Sequence, residues 1–417
     1  MFHLKSKWLA LLGGALLATG SAFAQDSGPL VDLLVKKGLV TDQEAEELRA
    51  DLTREAAAAV TSTVSGGKST ASISITGRIQ AQFANLSTDI SGTSADPAAI
   101  NHFFLRRVYL GVKAELYHNF TSTLNYDFAG STFDAAFITW KPSDEASVDV
   151  GFRKVPIYYD EWLTSSGKLK TIERSTVTRY FAEGNNGRRL GAGSYRQGVF
   201  FNGKNPSGLN YQVAITNPER NEDGIAGVNS AGNSTNNNFA YWGQAGYSGK
   251  SGNSTYVFGA AMGYLPDQGG KILGAGDNLS VANVYFDYSY GAFSLSGEYD
   301  WSHNEHGASA TADANPWGWY IMPSYRIGDK LELVFRAGHI DSDGRGVSLA
   351  DGIRSGATGG TMNLADDYYV GGNWFFNGWD TVLQAGYIWS TTKDNINGTS
   401  GPKATISGLR AQLQVNF

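Results

Sequence analysis

The sequence predicts an all-β fold: a 16-stranded antiparallel transmembrane β-barrel behind a short N-terminal helical segment. Three observations lead there. Apolar residues recur at every second position from Ser72 onward, tight turns alternate with long polar loops, and the chain ends on an alternating strand, Ala411-Gln412-Leu413-Gln414-Val415-Asn416-Phe417. A strand wet on one face has a period of two. Lipid-embedded barrels repeat it in hairpins whose connections are short on one side of the membrane and long on the other.

The chain begins with a secretory signal. Lys5 and Lys7 form a positive start, Trp8 to Ala18 is apolar and uncharged, and Ala22-Phe23-Ala24 has the small-x-small form of a cleavage site, so cleavage is expected after Ala24. The apolar stretch is shorter than the roughly 20 residues that a spanning helix needs. Residues 25–68 then carry a helical period: Leu30, Leu33, Leu34, Leu39, Ala45 and Leu48 recur among charges. Thr41-Asp42-Gln43-Glu44 fits a capping box that starts a helix running to about Val60, and Ser65-Gly66-Gly67-Lys68 makes a link. The expected organisation is a signal peptide over 1–24, a helical periplasmic leader over 25–68 and a barrel over 69–417.

From Ser72 the period becomes two. Ile73, Ile75, Ile79, Ala81 and Phe83 share one face, with Ser74, Thr76, Arg78, Gln80 and Gln82 on the other. Val108, Leu110, Val112, Ala114 and Leu116 likewise oppose Arg107, Lys113 and Glu115, while Phe120, Leu124, Tyr126 and Phe128 oppose Thr121, Thr123, Asn125 and Asp127. The sixteen strands are expected near 72–84, 104–117, 119–129, 134–141, 146–154, 194–203, 208–217, 239–249, 253–264, 279–290, 292–302, 316–327, 330–341, 366–376, 379–390 and 404–417. Tight turns at Tyr117 to Asn119, Gly249 to Asn253, Gly291, Gly328-Asp329 and Asn377-Gly378 alternate with polar loops near 85–103, 155–193, 218–238, 265–278, 303–315, 342–365 and 391–403. Trp140, Trp242, Trp301, Trp317, Trp319, Trp374, Trp379 and Trp389 crowd the strand ends, as rings at the headgroup level would. The terminal Phe417 has the form of a signal for the outer-membrane insertion machinery.

Composition fits the same picture. The 417 residues are 41% hydrophobic and 12% aromatic, with 52 Gly and no Cys, so an exported chain must be held by closed hydrogen bonding rather than disulfides. Removing Lys5 and Lys7 with the signal takes the formal charge from −6 to −8, which argues against a nucleic-acid partner.

The loop after the fifth strand is the longest, and it departs from this acidic balance. From Pro156 to Gly198 it carries Lys168, Lys170, Arg174, Arg179, Arg188, Arg189 and Arg196 against Asp160, Glu161, Glu173 and Glu183. A wide aqueous lumen screens charges beyond about 8 Å, so selectivity needs a constriction, and this loop folded inward would provide a basic one. Arg107, Lys113 and Arg153 (with Arg78) fall on polar strand faces and would extend the field, or else form lumen ion pairs such as Lys113 with Glu115 and Arg153 with Asp149.

Ordered motifs add a resemblance. Phe104-Leu105-Arg106-Arg107-Val108-Tyr109-Leu110-Gly111, Gly151-Phe152-Arg153-Lys154-Val155-Pro156, Glu173-Arg174-Ser175 and Gly187-Arg188-Arg189-Leu190-Gly191 resemble those of the phosphate-selective porin O and P family. The resemblance covers roughly residue 72 to the end and implies a homotrimer of 16-stranded outer-membrane barrels, an inward third loop, and passage of phosphate or other small anions. The family's best-known phosphate-specific members also carry an arginine ladder, and no Arg-x-Arg-x-Arg run follows Arg196 here.

No catalytic constellation, metal motif or cofactor loop is apparent, so neither an enzyme nor a cofactor is expected. Asp341-Ser342-Asp343-Gly344 lacks the downstream acid of a calcium loop, and Asn397-Gly398-Thr399 is a glycosylation sequon by form only. The expected partners are small anionic or neutral solutes and membrane lipid. Three alternatives stay open: a general or sugar-type pore, a structural protein joined to the cell wall through 25–68, and a secreted β-sandwich.

Overall fold

The structure, a computed structural model, describes residues 70–91, 96–117, 119–183, 190–218, 238–270, 277–350, 358–395 and 402–417. The expected signal, helical leader and capping box, Arg188 and Arg189, and the Asn397 sequon lie outside the described residues.

Among the described residues sixteen long strands form: β1 (Thr70–Ile90), β2 (Ile100–Leu116), β3 (Phe120–Asp127), β4 (Thr132–Trp140), β5 (Ala146–Lys154), β6 (Tyr195–Lys204), β7 (Leu209–Thr216), β8 (Ala240–Ser251), β9 (Ser254–Leu265), β10 (Leu279–Tyr290), β11 (Phe293–Ser309), β13 (Trp317–Ile327), β14 (Leu331–Asp341), β16 (Thr358–Asn377), β17 (Thr381–Asn395) and β18 (Ala404–Asn416). Two three-residue strands, β12 (Ala312–Ala314) and β15 (Val347–Leu349), fold back on β11 and β16. Consecutive long strands pair along the chain, and β18 returns to β1 in register from Arg78↔Asn416 to Ile90↔Ala404, which closes the ring. Closure continues to the last residue. The Gly77 amide donates to the Phe417 carbonyl at 2.7 Å, and the Phe417 ring lies where any Cβ at Gly77 would stand.

The chain separates into two compact units. In the smaller, made of the residues up to Ile75 with Val112–Tyr117, Lys113 Nζ lies 3.4 Å from Glu115 Oε1, and Ser72 Oγ donates to Glu115 Oε2 at 3.1 Å. The larger, Thr76–Gly111 with His118–Phe417, holds the barrel wall and the candidate site.

Within the larger unit the alternation is inside out relative to a water-soluble core. Ile79, Val284 and Met262 are 43%, 53% and 67% exposed, whereas Gln80, Asn283 and Glu298 on the opposite face are 3% exposed or less. A contiguous apolar exterior over a polar interior suits hydrocarbon outside and water inside, and it excludes the two-sheet sandwich. Turns at Gly252, Gly291, Gly328 and Gly378 have φ between +51° and +60°, which glycine adopts without a Cβ penalty.

Several strands run past their expected ends: β1 reaches Ile90, β11 Ser309 and β17 Asn395, and β16 begins at Thr358. Beyond the lipid both faces are wet, so the two-residue hydrophobic period fades while the backbone ladder continues. Trp242 departs from the expected girdle. It is 3% exposed and shares the inner face of β8 with Ala240 and Gln244, its Nε1 donating to Thr216 Oγ1 at 2.9 Å.

The segment between β5 and β6 folds inward. It contains α1 (Tyr159–Trp162) and α2 (Thr176–Ala182), and Ile157, Tyr158, Ile172, Val177 and Phe181 are all 1% exposed or less. Ser175 caps α2 by accepting from the Thr178 amide at 2.9 Å.

Candidate functional site

Inner-wall amides hold the start of this loop. Gln80 Nε2 donates to the Ser166 carbonyl, Gln414 Nε2 to Gly167, Gln384 Nε2 to Leu169 and Asn373 Nδ2 to Lys170, each at 2.9 Å. The same amides bond sideways, Gln80 to Gln414, Gln82 to Gln412 and Gln412 to Gln384, at 2.6–2.7 Å. The polar strand faces thus satisfy loop carbonyls that would otherwise be buried without partners. Two glycines seat α2: a Cβ on Gly318 or Gly338 would approach Val177 to 2.9 or 3.0 Å.

Glu173 is the electrostatic hub. Arg106 grips it with two donors, Nε at 2.7 Å and Nη2 at 3.2 Å, while Arg410 and Arg107 stand 3.7 and 4.0 Å away. Burial pushes its carboxyl up, but the charges of Arg106, Arg107 and Arg410 outweigh that and hold it well below the ordinary range. Arg336 spans from Asp367 on β16, 3.0 Å away, to the Glu173 carbonyl at 2.8 Å. Asp367 in turn accepts from the Thr176 hydroxyl at 3.0 Å, at the start of α2.

Between this loop and the wall from β1 to β6 lies a cavity of about 820 Å³. Its cationic lining is Arg78, Arg106, Arg107, Arg153, Lys154, Arg174 and Arg179, against the carboxylates Asp127, Asp134, Glu161 and Glu183, an excess of three positive charges. Tyr109, Phe133, Phe137, Phe152, Trp162 and Tyr195 supply its aromatic wall. Arg78 differs from its neighbours. It donates to Asn416 at 2.8 Å and Ser166 at 2.7 Å, and among the described residues it forms no ion pair.

The sequence-derived candidates fall into distinct places. Arg107, Arg153, Arg174 and Arg179 line the cavity; Lys168, Lys170 and Arg196 do not. Arg107 donates to Gln80 at 2.8 Å, and Arg153 pairs with Asp149 and lies over the Phe200 ring at 4.9 Å. Arg174 braces the loop through the Asp160 carbonyl at 2.7 Å and Glu161 at 2.8 Å, and Arg179 reaches Glu183 at 3.3 Å. Lys170 bridges Ser294, Ser324 (2.9 Å) and Glu332 (3.4 Å) on the far wall. Arg196, 1% exposed, donates to the carbonyls of Gly191 and Gly193 at 2.7 Å and of Pro218 at 3.0 Å. Lys168 is exposed, and Lys113 sits in the smaller unit with Glu115.

Arg106 and Lys154 were not among the candidates. Leu105 and Leu110 are both exposed while Arg106 and Arg107 both turn inward, so the alternation of β2 skips a residue between them. The adjacent Arg106-Arg107 pair was the available signal. Lys154 ends β5, where the wall gives way to the loop, and pairs with Glu161 at 3.1 Å.

The family model for the phosphate-selective porins O and P matches residues 73–417. Solved structures with a similar fold include the anion-selective porin from Comamonas acidovorans, at 14% identity and TM-score 0.51, covering 82% of this chain and 99% of that one. The outer membrane channel DcaP of Acinetobacter baumannii gives 11% identity and TM-score 0.57, covering 85% and 99%. OmpF of Salmonella typhi, in complex with daunomycin, gives 14% identity and TM-score 0.50, covering 83% and 98%. No curated protein sequence matches.

Proposed function

This chain belongs to the phosphate-selective porin O and P family and is an outer-membrane porin, and on that premise we propose that it passes small solutes passively with a preference for anions, set at the neck between the inward loop and the β1–β6 wall. The observation that carries this reading is the cavity lining, seven cations against four carboxylates. Glu173 and Asp149, behind the lining, take up Arg106 and Arg153, and in a narrow passage with low-dielectric walls the positive charge that remains raises local anion concentration and opposes cations. The paired arginines hold the loop in place, whereas Arg78, whose guanidinium is met by the Asn416 amide oxygen and by serine hydroxyls, supplies charge without an acid partner among the described residues. Phosphate and carboxylate solutes fit guanidinium donors of this kind.

Three finer statements belong to the same reading. The porin works as a homotrimer, its leader over 25–68 lies in the periplasm, and Phe417, with its ring packed on Gly77 and 66% exposed, is presented to the insertion machinery.

Planar-bilayer reversal potentials in a salt gradient test the selectivity. The expected sign is that of an anion-preferring channel, and Arg78→Gln lowers the preference by up to about fivefold, the factor for one unit charge acting with about 1 kcal/mol through water at close range. Cation preference in the wild-type channel would overturn the selectivity claim.

A further inference from the structure

On the wall opposite the cavity, β11 turns Glu298, Asp300, Ser302 and Asn304 inward, and Asn283 of β10 stands directly across from Asp300. Two loop groups occupy Glu298: the Thr178 hydroxyl donates to it at 2.7 Å and the Asp160 amide at 3.4 Å. Asp300 has no such company. It is fully buried, and among the described residues neither of its oxygens meets a donor. Nor does Asn283, 3% exposed, find a partner for either amide atom, nor Ser302, fully buried, for its hydroxyl. From the loop side comes the Tyr158 hydroxyl, buried, unpartnered and near enough to Asp300 to feel its charge.

Four neighbouring polar side chains unsatisfied in one place are costly unless something joins them. The local charge says what that is. Glu298 lies two positions from Asp300 on the same face of β11, neither Asp300 oxygen meets a donor among the described residues, and Arg196, which acts on the Tyr158 hydroxyl, donates to the carbonyls of Gly191, Gly193 and Pro218, so another acceptor would be repelled and a positive ion attracted. The available donor atoms are a carboxylate, an amide oxygen and hydroxyl oxygens, which are hard ligands suited to alkaline-earth cations. We propose that Asp300, Asn283, Ser302 and the Tyr158 hydroxyl form a site for a partly hydrated calcium-class cation, which ties the inward loop to the β10–β11 wall. Among the described residues no three acidic or imidazole ligands converge. The site therefore rests on few charges, keeps several waters, and binds in about the 10⁻⁴–10⁻³ M range of low-charge calcium sites.

The test uses the detergent-purified full chain and Tb³⁺, whose emission is excited through tyrosine, with Ca²⁺ as competitor. The wild type should show saturable emission that Ca²⁺ displaces, and Asp300→Asn should weaken binding at least about tenfold while Asn283→Asp, which adds a ligand charge, strengthens it about as much. No saturable emission, or affinities unchanged in the two variants, would overturn the proposal. Should Asp300→Asn fail to fold, Asn283→Asp alone decides in the same way.

Discussion

Glu173 has its place in the loop through charge, and its effect depends on pH. Its carboxyl is held below the ordinary range by Arg106, Arg107 and Arg410. The stabilisation it gives is therefore complete above the ordinary glutamate value of about 4.3 and is lost only as pH falls below that, through the depressed folded value. Loop release, read as excess open-channel noise, should appear in strongly acidic buffer and not between pH 5 and 8. Glu173→Gln should bring the same noise to neutral pH, at a cost of up to about 3 kcal/mol for three arginines left without their carboxylate; a quiet variant channel would remove Glu173 from this role. At this scale sequence reading had partial reach. Arg78, Arg107 and Arg153 were legible as lumen residues from strand parity, and the Arg153–Asp149 pair from its spacing. Arg106 was not, because a skipped alternation is invisible without the partner strand. That Lys170 and Arg196 face the far wall and loop carbonyls could not be read either, since a loop residue's charge does not reveal its partners.

At the scale of elements, α2 stays in the lumen because β13 and β14 leave it room. Gly318 and Gly338 are flat where Val177 and Phe181 approach. Gly338→Val should push α2 off β13 and β14 towards the cavity and narrow the neck, an overpacking penalty of about 1–3 kcal/mol. Single-channel conductance should fall while the β-sheet circular dichroism is unchanged; unaltered conductance would contradict the seating. The loop's length and basic character predicted an inward fold, yet the features that hold it there sit on other strands: the amides Gln80, Gln384 and Gln414, and two glycines far along the chain. Strand positions were legible wherever one face meets lipid. Their outer extensions, and the two short strands β12 and β15, were not, because the two-residue period vanishes when both faces are wet.

At the largest scale, the larger unit is a ring whose exterior suits hydrocarbon and whose interior is a polar network. Val284, outward on β10 and 53% exposed, should tolerate Arg poorly in a bilayer, at a cost of about 2–4 kcal/mol near the midplane. Equilibrium unfolding from lipid vesicles would read it, and an indifferent Val284→Arg would mean that this face does not meet lipid. The ring and its orientation to solvent followed from periodicity and turn spacing; the charge balance of the neck did not, because it depends on which loop cations reach the cavity. That balance is the central claim and can be measured in place, since the chain has no native cysteine. A single cysteine at Thr164, on the cavity wall, would react with methanethiosulfonate reagents of either charge. A positive neck makes the anionic reagent several-fold faster than the cationic one at low salt, with the difference shrinking as salt is raised. A faster cationic reagent would contradict the account.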